Sequence, residues 1–256
     1  MGTKGGTSLI RADKILTYIG RVGSATFSEI VAKLELPKSS ALVLLEIMVD
    51  CGLLVKNDRN RYVLGLKIYE LGCQSFHKKN LFEITRRPMQ ELSIQAGLIC
   101  HLGVIENNHA IYLDKIECPS SVPTQESWIG KKLTLHATAL GKALLAWMRD
   151  DEIEHYIKNI YMNRYTDKTI TDIPSFKAEL LKTKMQGWAI DNEESKDGVI
   201  CLGAPVFDIY GRVSYAISIS GTTETFSVKY RAKYLDYLLN SAKTISYGLG
   251  YRKPFI

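Results

Sequence analysis

Apolar residues recur at helical spacing through the first fifty positions. Leu9, Ala12, Ile15, Leu16 and Ile19 share one face of a helix predicted from Ser8 to Val22, after a Gly-rich start expected to be disordered. Ser28 reads as the N-cap of a short helix, Glu29 to Leu34, in which Ile30, Val31 and Leu34 repeat at helical spacing. A two-residue connection, Glu35-Leu36, leads to Pro37 at a favoured first helical position and to an apolar helix running to Cys51, stopped by Gly52. Leu53-Leu54-Val55 and Arg61-Tyr62-Val63-Leu64 then read as short strands flanking the polar turn Lys56 to Asn60. Helix, short helix, tight turn, helix and basic hairpin form the pattern of a winged helix-turn-helix.

Further on, Gly65 to Phe76 reads as a connecting helix and Leu81 to Ala96 as an amphipathic helix ended by Gly97. The periodicity then changes. Leu98 to Ile105 and His109 to Ile116 read as strands around the hairpin turn Asn107-Asn108. Helices follow at about Ala139 to Met148, Glu152 to Ile160, and Pro174 to Met185, the last capped by Asp172 and closed by Gly187. Strands Val199 to Phe207 and Val213 to Ser220, around the turn Asp208 to Gly211, precede a closing helix from about Ser227 to Tyr247. The expected organisation is a winged helix-turn-helix over residues 8–65, a linker helix over 66–79, and an α+β domain with a mainly antiparallel sheet over 80–256.

Charge sharpens this division. Of the net +6, the first 79 residues hold +5, with twelve Lys/Arg against seven Asp/Glu, so a polyanionic partner is expected there. No stretch of about eighteen apolar residues occurs and the start has no secretion-signal core, so a cytoplasmic protein without a membrane segment is expected. Five scattered cysteines with no Cys-x-x-Cys pair suit free thiols. Cys100, His101, His109 and Cys118 match no zinc spacing, and strand alternation sends Cys100 and His101 to opposite faces, so no metal is expected.

On the candidate recognition helix, Ala41, Leu44, Leu45 and Met48 share the core-facing side, leaving Ser39, Leu42, Val43 and Glu46 outward. Lys38, Ser39 and Ser40 lie at its N-terminal end, where phosphates and base edges are met. Lacking an Arg, such a helix could equally serve protein contacts; the charge balance and the adjoining wing with Lys56, Arg59 and Arg61 favour DNA. In the larger domain, the small-residue stretch Thr138 to Gly141 offers helix-start N–H groups to a carboxylate, although in isolation Thr138 reads as a plain cap. Cys201 and Gly203 share one strand face, as do Ser218 and Ser220 on the next, which could line a polar pocket or simply pack. No nucleophile elbow, zinc-protease helix, phosphate loop or dinucleotide fingerprint occurs, so neither an enzyme nor a cofactor is expected. Asp191, Glu193 and Glu194 in isolation read as a charged strand end or turn.

These features resemble the IclR-type transcription regulators over nearly the whole chain, from about Leu9 to Phe255. The resemblance is carried by Leu36 to Ser40 leading to Gly52, Tyr62 to Gly65, Leu71-Gly72, Leu135 to Ala143, Asp191 to Glu194, Gly198 to Phe207 and Ile217 to Gly221. It implies a winged helix joined by a linker helix to a GAF-like effector domain, in homodimers often paired into tetramers on double-stranded operator DNA. It also implies an effector pocket formed by Ala139, Leu140, Asp191, Val199, Cys201, Ser218 and Ser220, with Val122 and Gln125 added by position. Leu144 to Trp147, Thr169 to Thr171 and Gly248 to Tyr251 are similar to the subgroup that senses sugar acids such as 2-keto-3-deoxygluconate. Val43 stands where family recognition helices usually carry an Arg. The expected function is a regulator, more often a repressor of a catabolic operon, whose operator binding responds to a small organic acid. The alternatives are an enzyme using Cys201 as nucleophile and a protein-interaction module without DNA binding.

Overall fold

The computed structural model describes residues 4–75, 81–119 and 126–255. The chain divides into two compact units, Met1–Lys79 and Asn80–Ile256.

In the first unit, α1 (Lys4–Val22), α2 (Phe27–Leu34) and α3 (Lys38–Asp50) precede an antiparallel hairpin of β1 (Leu54–Lys56) and β2 (Tyr62–Leu64), then α4 (Leu66–Ser75). Ile15, Ile19, Ile30, Ala41, Leu45, Met48 and Leu54 form its buried core. Leu9, expected on the core face, is exposed. Two boundaries differ from the sequence pattern. Thr26, not Ser28, caps α2: its hydroxyl accepts from Glu29 N while the Glu29 carboxylate accepts from Thr26 N, a reciprocal capping box that outcompetes a lone Ser. Pro37 is the N-cap of α3 rather than its first residue, and Glu35 takes a left-handed conformation at φ 52°, so the α2–α3 connection spans three residues. Gly65 is required for the exit from β2, since a Cβ there would sit 2.0 Å from the Gly52 carbonyl oxygen.

The second unit holds α5 (Leu81–Ala96), β3 (Ile99–Glu106), β4 (His109–Ile116), β5 (Lys132–Leu133), α6 (Ala139–Leu145), α7 (Asp150–Asn159), α8 (Ile173–Gln186), β6 (Ala189–Asn192), β7 (Val199–Phe207), β8 (Val213–Thr222) and α9 (Val228–Gly248). Among the described residues six strands make one antiparallel sheet in the order β5-β4-β3-β8-β7-β6. Strand alternation gives the sheet two apolar faces. Cys100, Leu102, Ile200, Leu202, Ile217 and Ile219 belong to a core shared with Met89 and Leu92 of α5 and with Leu238, Ala242 and Ile245 of α9. Ala189 and Ala216 belong to a second core with α6 and with Phe176 and Leu180 of α8. Asn107 and Asn108, both at positive φ, turn the β3–β4 hairpin as their side chains favour. The short strands β5 and β6 have too few residues to show alternation and were not foreseen. Among the described residues no helix is long and apolar enough to cross a membrane.

Candidate functional site

Each unit presents one candidate site. On α3, Ala41, Leu45 and Met48 are buried and Leu44 half-buried, while Lys38, Ser39, Ser40, Leu42, Val43, Glu46 and Ile47 are exposed. Pro37 makes no side-chain cap to the helix, so the first-turn amides at Lys38, Ser39 and Ser40 lie at an exposed, uncapped start. The expected outward face is therefore outward, with Ile47 added.

The hairpin turn between β1 and β2 is built by Asn57, whose side-chain oxygen accepts from the backbone N–H of Arg59 and of Arg61 at 3.1 and 3.0 Å. Its three cations have different surroundings. Lys56 is exposed, with Nζ 5.7 Å from the Tyr62 ring centroid. The Arg59 side chain is exposed and has no ion pair among the described residues. Arg61 turns back onto its own unit. Its Nε donates to Ser24 Oγ and its Nη2 to the Ser24 carbonyl, both at 3.0 Å, and Nη2 lies 2.9 Å from the Glu29 carboxylate. That side chain fastens β2 to the α1–α2 turn.

In the second unit the register of the sheet brings distant residues into rows. Asp191, Cys201, Ser220 and Ile99 pair in turn across β6, β7, β8 and β3. Ala189, Gly203, Ser218 and His101 form the next row along the same strands. Directly paired residues share a sheet face, so both rows look the same way. A cavity of about 480 Å³ lies on that face. It is lined by Ala139, Leu140, Asp191, Val199, Cys201, Ser218 and Ser220, every described member of the expected pocket; Val122 and Gln125 lie outside the described residues. His101, Tyr112, Lys131 and Ser195 also line it.

Small residues set the cavity wall. A Cβ on Gly203 would lie 2.6 Å from the Ala139 carbonyl oxygen, so glycine lets the start of α6 sit directly on β7. Thr138 caps α6, accepting from Gly141 N at 3.1 Å and donating to the Thr134 carbonyl at 2.6 Å. Lys142, wholly buried, donates to the Ile190 carbonyl at 2.7 Å and to Glu194 Oε1 at 2.5 Å, clamping α6 to the turn after β6. Asp191 organises that turn: Oδ1 accepts from the N–H of Glu194 and Ser195, and Oδ2 from Ser195 Oγ. Burial raises the Asp191 pKa against these bonds, and raises that of Glu194 against the Lys142 charge.

Cys201 faces Ser220 at 3.2 Å, and burial pushes its thiol up to about 12. A nucleophilic cysteine needs a lowered pKa, so this environment argues against the enzyme alternative. Among the described residues no cluster of His, Cys, Asp and Glu is placed to hold a metal. Cys100 and His101 indeed face opposite sides of the sheet, one in the core under α5 and α9 and the other in the cavity. The contributions of His101, Tyr112 and the Lys142–Glu194 clamp were missed in the sequence. For His101 the available signal was its alternation with Ile99 and Gly103; for the clamp, separated by 52 residues, there was none.

Residues 73–247 match the family described as bacterial transcriptional regulator IclR C-terminal, and residues 8–58 match the IclR helix-turn-helix domain. Over 248 residues the chain is 33% identical to the HTH-type transcriptional regulator RhmR of Escherichia coli K12, covering 97% of this chain and 95% of that protein. The regulator KdgR of the same organism is 31% identical over 251 residues, again covering 97% and 95%. The crystal structure of the Thermotoga maritima IclR superposes with a TM-score of 0.80 at 32% identity, covering 96% of this chain and 99% of that one. The C-terminal domain of E. coli KdgR superposes at 0.61 with 34% identity, covering 67% of this chain and 99% of that one. With a helix-turn-helix unit, an antiparallel sheet domain and relatives named as regulators rather than enzymes, this chain belongs to the IclR family of bacterial DNA-binding transcription regulators.

Proposed function

We propose that the chain is an effector-controlled regulator, in the sense of a repressor of a catabolic operon, that binds double-stranded operator DNA as a homodimer or a pair of dimers. Its operator affinity changes when a small organic acid, a polyhydroxylated sugar acid, occupies the cavity of the second unit. The observation that carries this reading is the convergence of seven residues from α6, β6, β7 and β8 on one concave site. Asp191 disfavours a bare dicarboxylate by like-charge repulsion, while Oδ2 keeps lone-pair capacity for a ligand hydroxyl.

On the DNA side, Lys38, Ser39 and Ser40 with the uncapped start of α3 meet phosphates and nearby base edges, and Lys56 and Arg59 extend the phosphate contacts. Leu42 and Val43 supply apolar contact of the kind thymine methyls favour, so the operator is A·T-rich with modest discrimination per base. Two measurements on the full chain test the reading. A sugar acid at a hundred times its Kd stabilises the fold by about 2.7 kcal/mol, visible as a shift in Tm. Selection from a random duplex pool returns an A·T-rich consensus bound with strong salt dependence. If only neutral aromatic compounds move the Tm, the organic-acid reading fails; a consensus dominated by invariant guanines at the α3 positions removes the assignment of base reading to Leu42 and Val43.

A further inference from the structure

His101 is 1% exposed, sits on β3 beside Ser218 of β8 in the sheet register, and lines the cavity. Its ring stacks on Tyr112 with centroids 4.1 Å apart and planes 16° apart. Neither ring nitrogen has a hydrogen-bond partner among the described residues. Its neighbours in the cavity wall are committed differently: Asp191 bonds its own turn, Cys201 and Ser220 face each other, and Thr138 caps α6. Burial, with the charges of Lys115 and Lys131, holds the imidazole pKa down to about 3. At neutral pH the ring is therefore uncharged, with one N–H donor and one lone pair.

A carboxylate, which only accepts, could use the N–H but would confront the lone pair. Hydroxyl groups both donate and accept, and satisfy both nitrogens. A hydrocarbon chain sealed over the ring would leave both unmet, which costs binding. We propose that His101 is the specificity-determining residue of the cavity, reading hydroxyl groups of the effector, so that the polyol part of the ligand lies over β3 and its carboxylate lies elsewhere. This rests on the reading of the cavity as an organic-acid site and sets which part of the acid is recognised where.

The test is calorimetric titration of the full chain with acids matched in charge and length. D-gluconate and hexanoate differ in their hydroxyls, and 2-keto-3-deoxygluconate and D-galacturonate widen the hydroxylated set. His101→Phe keeps a ring to stack on Tyr112 and removes both nitrogens; His101→Gln keeps a donor and an acceptor; Ser218→Ala probes the cavity independently. The wild type is expected to prefer a hydroxylated acid over hexanoate. His101→Phe should weaken that acid by roughly ten- to a hundredfold without weakening hexanoate, and His101→Gln should recover part of the loss. Should His101→Phe fail to fold, the same ratio is read on His101→Leu and His101→Gln. Wild-type affinity for the hydroxylated acid in His101→Phe, with Ser218→Ala weakened, overturns the role of His101 and leaves the cavity reading standing. A wild-type preference for hexanoate overturns hydroxyl reading in the same way. If the wild type binds none of these acids, the organic-acid reading falls, and this inference with it.

Discussion

Both units contain an ion pair between a glutamate and a basic side chain, in opposite surroundings. In the helix-turn-helix unit, Arg61 and Glu29 meet at the surface, each about a third to a half exposed, and hold β2 to the α1–α2 turn. In the second unit, Lys142 and Glu194 meet in the interior, 0% and 7% exposed, and hold α6 to the turn after β6. The surface pair is screened by water and gains modestly from Coulomb attraction. The buried pair has lost its solvation, so each partner depends on the other. The same chemistry thus acts as a fastener in one unit and as an obligatory couple in the other. Under the proposed function the difference suits the two sites: one would remain exposed to a large polyanion, the other would close around a small molecule.

The strongest way to break this contrast is to remove one partner of the buried pair. Lys142→Met leaves the Glu194 carboxylate without its cation and should destabilise the second unit by about 3–5 kcal/mol in chemical denaturation. The double variant Lys142→Met/Glu194→Leu should recover most of that loss, because the second carboxylate facing Lys142, Glu179 at 3.8 Å, keeps Lys182 as its partner at 3.7 Å. A single-variant cost within about 1 kcal/mol, the range of an exposed pair, would erase the distinction.

How far each site could be read in advance follows from the same geometry. Alternation along β7 and β8 put Cys201 with Gly203 and Ser218 with Ser220 on common faces, and the family resemblance supplied Ala139, Leu140, Asp191 and Val199; all but Gly203, which lies packed under the Ala139 carbonyl, line one cavity. Which residues stand opposite one another depends on strand register. The pairing of His101 with Ser218 requires β3 to neighbour β8, a strand more than a hundred residues away in sequence, and nothing local encodes it. The helix periodicity of α3 correctly separated Ala41, Leu45 and Met48 from Leu42 and Val43. In the wing, residue type marked Lys56, Arg59 and Arg61 alike as cations, but Arg61's inward turn depends on Ser24 of the α1–α2 turn and Glu29 of α2, more than thirty residues back in sequence. The α2 cap was misplaced for a related reason: Ser28 and Thr26 are both competent, and only the reciprocal bond with Glu29 selects Thr26.

A finer division lies within the wing. Arg61→Ala removes a guanidinium that makes hydrogen bonds to Ser24 and Glu29, and should cost about 1–2 kcal/mol, less than a buried ion because water partly replaces it. Arg59→Ala should leave stability within about 0.5 kcal/mol and, if Arg59 meets a phosphate, reduce the log–log salt slope of operator binding by about 0.9. Thermal melts and salt titrations of both variants would separate the roles. A reduced salt slope in Arg61→Ala with unchanged stability would show that Arg61 leaves Glu29 for DNA.

The two units should also differ in acid response. His101 is held neutral by burial, with a folded pKa of about 3 against an ordinary 6.5, and burial likewise lowers His136. For a histidine with a depressed folded pKa, the unfolded chain binds more protons below 6.5, so its stability contribution is complete above that pH and declines as pH falls toward the folded value. Asp191 and Glu194 oppose this: their raised pKa values favour the folded state as they protonate, an effect that grows as pH falls through their folded values. In the helix-turn-helix unit, the Thr26 backbone N–H and the Arg61 guanidinium lower the Glu29 pKa, so its contribution is present above 4.5 and lost only as pH falls through its folded value. Between pH 7.5 and 5.5 the second unit should therefore lose about 1 kcal/mol while the first holds steady. Hydrogen exchange on the full chain, corrected for intrinsic rates, would compare peptides from β2 with peptides from β3. Protection should fall in β3 alone, and His101→Phe should flatten that fall; a parallel loss in both units, or an unchanged slope in His101→Phe, would mean that the buried imidazole does not set the acid response.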